Sequence, residues 1–176
     1  RAYAEEIEKI QKLEDRSGFI LGQLDVNGLK AANDAHGHAA GDELLKAVAD
    51  CIRSCFGPLG KCYRMGGDEF IVLLNHVEDT EYISTRVDKL IKVINEPWYY
   101  NNDAFHMTAK VGISLYPKDG HDFNILMKQA DIAMYKAKEQ KAGDYQYYMV
   151  DLESHVTKRL QIEHELRHAI DDNELL

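Results

Sequence analysis

The stretch "RMGGDEFIVLL" (Arg64 to Leu74) constrains this chain more than any other. Two glycines between apolar runs are a strong hairpin signal, because glycine takes the positive φ that a tight turn demands. The turn accounts for Gly66 and Gly67. It leaves Asp68 and Glu69, adjacent carboxylates at the tip, without a structural reason. A second strand, "GFILGQLDV" (Gly18 to Val26), is mostly apolar and carries an acid near its end, Asp25. If that strand pairs beside the hairpin, at about 4.8 Å, Asp25 and Asp68 converge. Two carboxylates at one spot repel unless a divalent cation sits between them. Oxygen-only ligands of this kind suit magnesium, which keeps waters and shares its shell with phosphates.

Elsewhere helices alternate with strands, without repeats. Tyr3, Ile7, Ile10 and Leu13 recur at helical spacing. "NGLKAANDAHGHAAGD" is small, polar and glycine-punctuated, and a helix follows with its stripe at Leu44, Leu45, Val48, Ala49, Ile52 and Phe56, stopped by Pro58 and Gly60. After the first hairpin comes a helix through Ile83, Val87, Leu90, Ile91 and Ile94, ended by Pro97. A second hairpin, "WYYNNDAFHMTAKVGISLY", turns near Asn101 to Asp103; "HDFNILMKQADIAMYKAKEQ" is an amphipathic helix and "YQYYMV" a last strand. Four or five strands among these helices predict an α+β fold, a mostly antiparallel central sheet flanked by helices. Some polar residues have plain structural readings: Asp42 as a helix N-cap, Asn33 and Asp34 as turn residues, Lys138 as a cation at a helix C-terminus. Ala130, Met127 and Met134 read as core.

At 176 residues and 45% hydrophobic, the chain suits one domain with a real core. Its 21 Lys and Arg against 30 Asp and Glu, net −9, argue against a nucleic-acid surface. A small anionic substrate then needs a local cationic pocket or a metal. The passage from Asn27 into a helix containing Lys30 aims backbone N–H groups and an ammonium at an anion. Metal carboxylates, a helix N-terminus and a lysine together describe a nucleoside-triphosphate site. Three cysteines indicate neither a disulfide framework nor a zinc ribbon, and a reducing cytoplasm is the expected setting. No apolar run approaches the roughly 20 residues that span a bilayer, although the parent of a chain that opens inside a helical pattern can be membrane-anchored. "HELRH" (His164 to His168) fits the zinc-protease pattern H-E-x-x-H, but that pattern calls for a third ligand and an enclosing domain after it, and a zinc site is not the expected reading.

Four ordered segments carry a family resemblance: Gly66-Gly67-Asp68-Glu69-Phe70, "LDVNGLKAANDAHGHAAGD", "VGISLYPKDG" and "ADIAMYKAK". The chain resembles a GGDEF domain, the diguanylate cyclase family. The resemblance implies that two GTP molecules, one on each subunit of an antiparallel homodimer, condense to cyclic di-GMP and two pyrophosphates. It implies magnesium, with manganese as an alternative, held by Asp25, Asp68 and the Val26 carbonyl. Asp68, Glu69 and Lys30 become catalytic residues, Asn33 and Asp42 the guanine readers, Lys30 and Lys138 phosphate ligands, and Gly67 part of the substrate site.

Departures from the family pattern accompany these matches. The inhibitory product site, R-x-x-D, is replaced by "GPLG" (Gly57 to Gly60), and no arginine-rich patch is expected near that loop, so no tight separate product site is expected. Ala142 stands where a phosphate-binding arginine is usual, with Lys141 beside it, and Lys110 replaces a strand serine. The expected domain covers residues 1–150. Residues 151–176, with Val156, Leu160, Leu166 and Ile170 on one helix, resemble the linker into an EAL phosphodiesterase domain, and an upstream sensor is expected. Two readings follow: an active cyclase, or a GTP-binding regulatory module controlling that phosphodiesterase.

Overall fold

β1 (Phe19–Asn27) is the strand around which the fold is organised, and its pairing on both sides decides where every charged residue of interest falls. The computed structural model describes residues 19–57, 59–75, 79–139 and 144–152. After β1 come helices α1 (Leu29–His36) and α2 (His38–Phe56), the hairpin β2 (Gly60–Gly66) and β3 (Glu69–Asn75), and helix α3 (Thr80–Ile94). Then follow β4 (Trp98–Tyr100), β5 (Asp103–Phe105), β6 (Thr108–Tyr116), helix α4 (Phe123–Glu139) and β7 (Tyr145–Tyr147). The main sheet has the order β2-β3-β1-β6-β7. Its first three pairings are antiparallel; β7 alone runs parallel, beside β6.

Alternation along the strands separates two layers. Leu24, Val26, Phe70, Val72, Leu74, Val111 and Ile113 are buried on one face, under Leu44, Val48 and Ile52 of α2 and Ile83, Val87 and Leu90 of α3. The start of α3 is fixed by Asp79, whose Oδ1 accepts from the backbone N–H groups of Glu81 and Tyr82 at 2.9 and 3.1 Å. On the other face a smaller cluster, Ile71, Leu73, Leu126 and Ala130, lies under α4. There the helix backbone comes so close that a Cβ on Gly112 would sit 1.9 Å from the Ala130 carbonyl oxygen. Only glycine fits beneath this turn of α4.

The α+β architecture is as expected, and three details differ. α2 begins at His38 with Gly37 as its N-cap, so Asp42 lies inside the helix and is not a cap. The described residues contain seven strands, not four or five. The second hairpin is divided: Asn101 and Asn102 turn with φ of 48° and 71°, β4 and β5 form a separate two-stranded sheet, and β6 continues into the main sheet. Asparagine tolerates the left-handed region, which lets so short a turn close. Ala130 and Met134 are buried, as their spacing suggested. The N-terminal helix, "HELRH", the tail helix, Lys141 and Ala142 lie outside the described residues. Among the described residues no helix is long and apolar enough to cross a membrane.

Candidate functional site

Residues directly opposite one another in an antiparallel ladder point to the same face. Asp25 faces Glu69 of β3 on one side and Lys110 of β6 on the other, so Glu69, Asp25 and Lys110 form a row across three strands. The row lies on the α4 face, beyond the small apolar cluster. The Lys110 ammonium donates to Asp144 Oδ1 at 2.8 Å, just ahead of β7. From the last turn of α4, Lys138 Nζ donates to Asp25 Oδ2 at 2.6 Å. Asp25 is mostly enclosed, its side chain 14% exposed, while Lys138 keeps 39% of its surface in solvent. The serine-to-lysine departure at position 110 thus faces the acids and is tied down by one of its own.

The tip of the β2–β3 hairpin is next to this row. Gly67 turns with φ of 54°, and Arg64 Nε donates to its carbonyl at 3.0 Å. The Asp68 carbonyl accepts from Val26 N–H at 3.2 Å. The hairpin tip is therefore stitched to β1 through main-chain atoms. The expected partner of Asp25 was Asp68; in the ladder the facing position belongs to Glu69, and Asp68 sits diagonally in the turn beside Val26. Among the described residues no three His, Cys, Asp or Glu side chains gather as a metal cluster. The oxygens at hand are the carboxylates of Asp25, Asp68 and Glu69 with nearby carbonyls. An all-oxygen set of this kind suits a hard divalent cation, whose remaining positions water or phosphate would fill.

β1 passes into α1 through Gly28, with φ of 113°; a Cβ there would also lie 2.8 Å from the His106 carbonyl oxygen. Lys30 is exposed in the first turn of α1. Asn33, one turn on, carries a buried side-chain oxygen, Oδ1, with no hydrogen-bond partner in the protein. It is packed against α2, since a Cβ on Gly41 would fall 2.1 Å from it. Asp42, exposed, follows Gly41 directly. The α1–α2 junction thus brings together an orphaned amide oxygen and a carboxylate. An unmade buried hydrogen bond costs about 1–3 kcal/mol, and Asn33 Oδ1 is the acceptor left unmatched at this junction.

A groove of about 300 Å³ runs between α2 and the hairpin, from Asp42 past Lys46 to Arg53, with Cys62 and Arg64 on the other side. Its two arginines come from different elements, Arg53 from α2 and Arg64 from the hairpin-tip end of β2. Arg53 is paired with Asp50 at 2.5 Å and Lys46 with Glu43 at 2.7 Å. The hydrogen bond and charge of Glu43 hold the Lys46 ammonium above its ordinary range. Burial pushes the Cys62 thiol up to about 11, so it is no nucleophile at neutral pH. At the loop, a Cβ on Gly60 would sit 1.8 Å from the Leu73 carbonyl oxygen, which leaves no room there for a carboxylate. Spacing alone carried no signal for the Lys110–Asp144 pair or for the meeting of Lys138 with Asp25.

Comparison with known proteins agrees with this geometry. The family model of the diguanylate cyclase GGDEF domain matches residues 1–144. The chain is 36% identical over 166 residues, 94% of its length, to a bifunctional diguanylate cyclase/cyclic di-GMP phosphodiesterase, MucR of Pseudomonas aeruginosa, of which it covers 24%. It is 37% identical over 159 residues, 90% of its length, to the cyclic di-GMP phosphodiesterase NbdA of the same organism, covering 20% of that protein. The chain therefore spans only a fifth to a quarter of these relatives. The crystal structure of the GGDEF domain of YfiN from Pseudomonas aeruginosa superposes with a TM-score of 0.76 at 30% identity, covering 85% of this chain and 96% of that one. With its hairpin signature, its sheet order and these matches in agreement, the chain belongs to the GGDEF domain family.

Proposed function

We propose that this domain is a diguanylate cyclase that condenses two GTP molecules into cyclic di-GMP as an antiparallel homodimer. The observation that carries the reading is the buried, partnerless Asn33 Oδ1 beside Asp42, one helix away from the acids of β1 and the hairpin. An amide oxygen and a carboxylate are both acceptors, and the guanine N1–H and exocyclic amine are the donors that suit them; adenine lacks that pair. At the other end, Asp25, Asp68 and the Val26 carbonyl would hold magnesium, or manganese in its place. The metal, when bound, supplies positive charge to the phosphate oxygens and the departing pyrophosphate. Lys30 and Lys138 hold the triphosphate, Gly67 leaves the hairpin backbone open to it, and Glu69 sits in register with Asp25. In each half-reaction the 3′-oxygen of one GTP bonds to the α-phosphorus of the other as the α–β phosphoanhydride breaks, releasing pyrophosphate. We assign Asp68 to receive the hydroxyl proton. Each site holds one GTP, so the two halves must come from two subunits.

A second reading is favoured by the relative that is named a phosphodiesterase: a GTP-binding module of low turnover that controls an adjoining EAL domain reached through residues 151–176. In both readings the domain works in the cytoplasm, where GTP is. Incubation with GTP and magnesium, followed by chromatography for cyclic di-GMP, separates them. Product formation that rises with the square of protein concentration supports the cyclase; GTP binding without product at any concentration supports the regulatory module. Failure to bind GTP overturns both.

A further inference from the structure

The small β4–β5 sheet shares no ladder with the main sheet, and an isolated two-stranded hairpin is at best marginally stable. Its rings pack on one another and on α1. Trp98 stacks on Tyr100 with centroids 5.5 Å apart and planes at 21°, and Phe105 lies 5.9 Å from Trp98. The ring of His36, the last residue of α1, completes the group, 5.4 Å from Tyr100 and edge-on to Phe105 at 5.8 Å. His36 Nε2 donates to Asp103 Oδ2, at the start of β5, at 2.7 Å. The other end of α1 is gripped by the same segment, because Gly28 lies against the His106 carbonyl and Met107, just past β5.

α1 has eight residues, too few to hold its own shape. Only Gly37, at φ of 76°, separates it from α2. One side of the last turn of α1 rests on α2, where Asn33 packs against Gly41, and its other side is held at His36. That turn carries Asn33, three residues before His36 and so a neighbour on the helix surface. We propose that His36 is a positioning residue: clamped by Asp103 and the β4–β5 rings, it sets Asn33 against Asp42 without touching the nucleotide. This inference rests on the assignment of Asn33 and Asp42 as base readers. The metal carboxylates, on β1 and the β2–β3 hairpin, stand outside its reach.

A bare surface ion pair would make a different prediction, since His36 is 22% and Asp103 64% exposed and such pairs contribute little to stability. The test uses the whole chain with His36→Ala, Asp103→Ala, the double variant and His36→Gln, whose amide can still donate to Asp103. GTP binding with magnesium is measured by calorimetry, inorganic triphosphate with magnesium serves as the probe of the phosphate end, and hydrogen exchange follows the α1 amides. The expected result is a loss of GTP affinity of roughly three- to ten-fold in each single variant, with no further loss in the double. His36→Gln should regain most of it, triphosphate binding should stay unchanged, and faster exchange should be confined to α1. Additive losses, equal losses for GTP and triphosphate, or unchanged GTP affinity would each overturn the proposal. If the unmutated chain binds no GTP, the base-reading assignment fails and hydrogen exchange decides alone. Faster exchange restricted to α1 in His36→Ala would then uphold the clamp, and unchanged exchange would refute it.

Discussion

The two faces of the central sheet are built from the same strands and serve opposite ends. Leu24 and Val26 point into the large core under α2 and α3, while Asp25, between them, points to the α4 side. The first face is apolar from Gly22 through Leu24 to Val26. The second is apolar only as far as Ile71, Leu73, Leu126 and Ala130, and then becomes the row of Glu69, Asp25 and Lys110. A period of two lets one strand carry cohesion and chemistry at adjacent residues, with neither diluting the other. If that division is real, substitutions one position apart should have unlike effects.

The largest contrast is expected between neighbours on β1. Leu24→Ala, at a fully buried position, should lower stability by about 2–5 kcal/mol in urea unfolding. Asp25→Asn should cost less, because Lys138 keeps 39% of its surface in water and is not left buried without a partner; equal losses would break the comparison. Next, Asp68→Asn should reduce cyclase turnover at least about 100-fold with the unfolding midpoint in place. Full activity in that variant removes Asp68 from the proposed site. Asp42→Ala should weaken GTP binding by roughly 1.5–3 kcal/mol and narrow the preference over ATP. Calorimetry showing equal affinity for the two nucleotides before mutation would contradict base reading. Gly112→Ala sharpens the comparison because it acts on both functions: the added methyl must lift α4, at a cost of about 1–3 kcal/mol. It should also weaken nucleotide binding through Lys138. The smallest effect belongs to Gly22, which borders an apolar cavity of about 20 Å³ and would place a Cβ no closer than 4.0 Å to any neighbour. Gly22→Ala should be neutral or stabilising by up to about 1 kcal/mol, and a clear destabilisation would show that the cavity does not accept the added methyl.

Local signals were legible in the sequence and long-range ones were not. "RMGGDEF" announced its hairpin because turn chemistry is written in consecutive residues, and α4 was readable from its stripe. The start of α2 was missed because "HGHAAGD" has no capping side chain: Gly37 serves with backbone alone. β4 and β5 looked like part of one long hairpin because nothing in "DAFHMTAK" marks the point where the chain leaves one sheet for another. Register was the other hidden quantity. That Glu69, and not Asp68, stands opposite Asp25 is set by the β1–β3 ladder, which runs unbroken from Phe19 opposite Asn75 to Asp25 opposite Glu69, and composition does not report register. The clamp on His36 was invisible for the same reason, since its partner Asp103 is 67 positions away.

The 2.6 Å contact between Lys138 and Asp25 makes the site a small ion exchanger. Each partner is also wanted by a different component of the proposed substrate, Asp25 by the divalent cation and Lys138 by the triphosphate. A cation arriving alone must displace the Lys138 ammonium from Asp25 into water, and an anion arriving alone must strip Asp25 of its counter-ion. Arriving together, the two exchange partners at once. By thermodynamic reciprocity each should then raise the affinity for the other by the same factor, so the domain would select metal-complexed nucleotide over either free species.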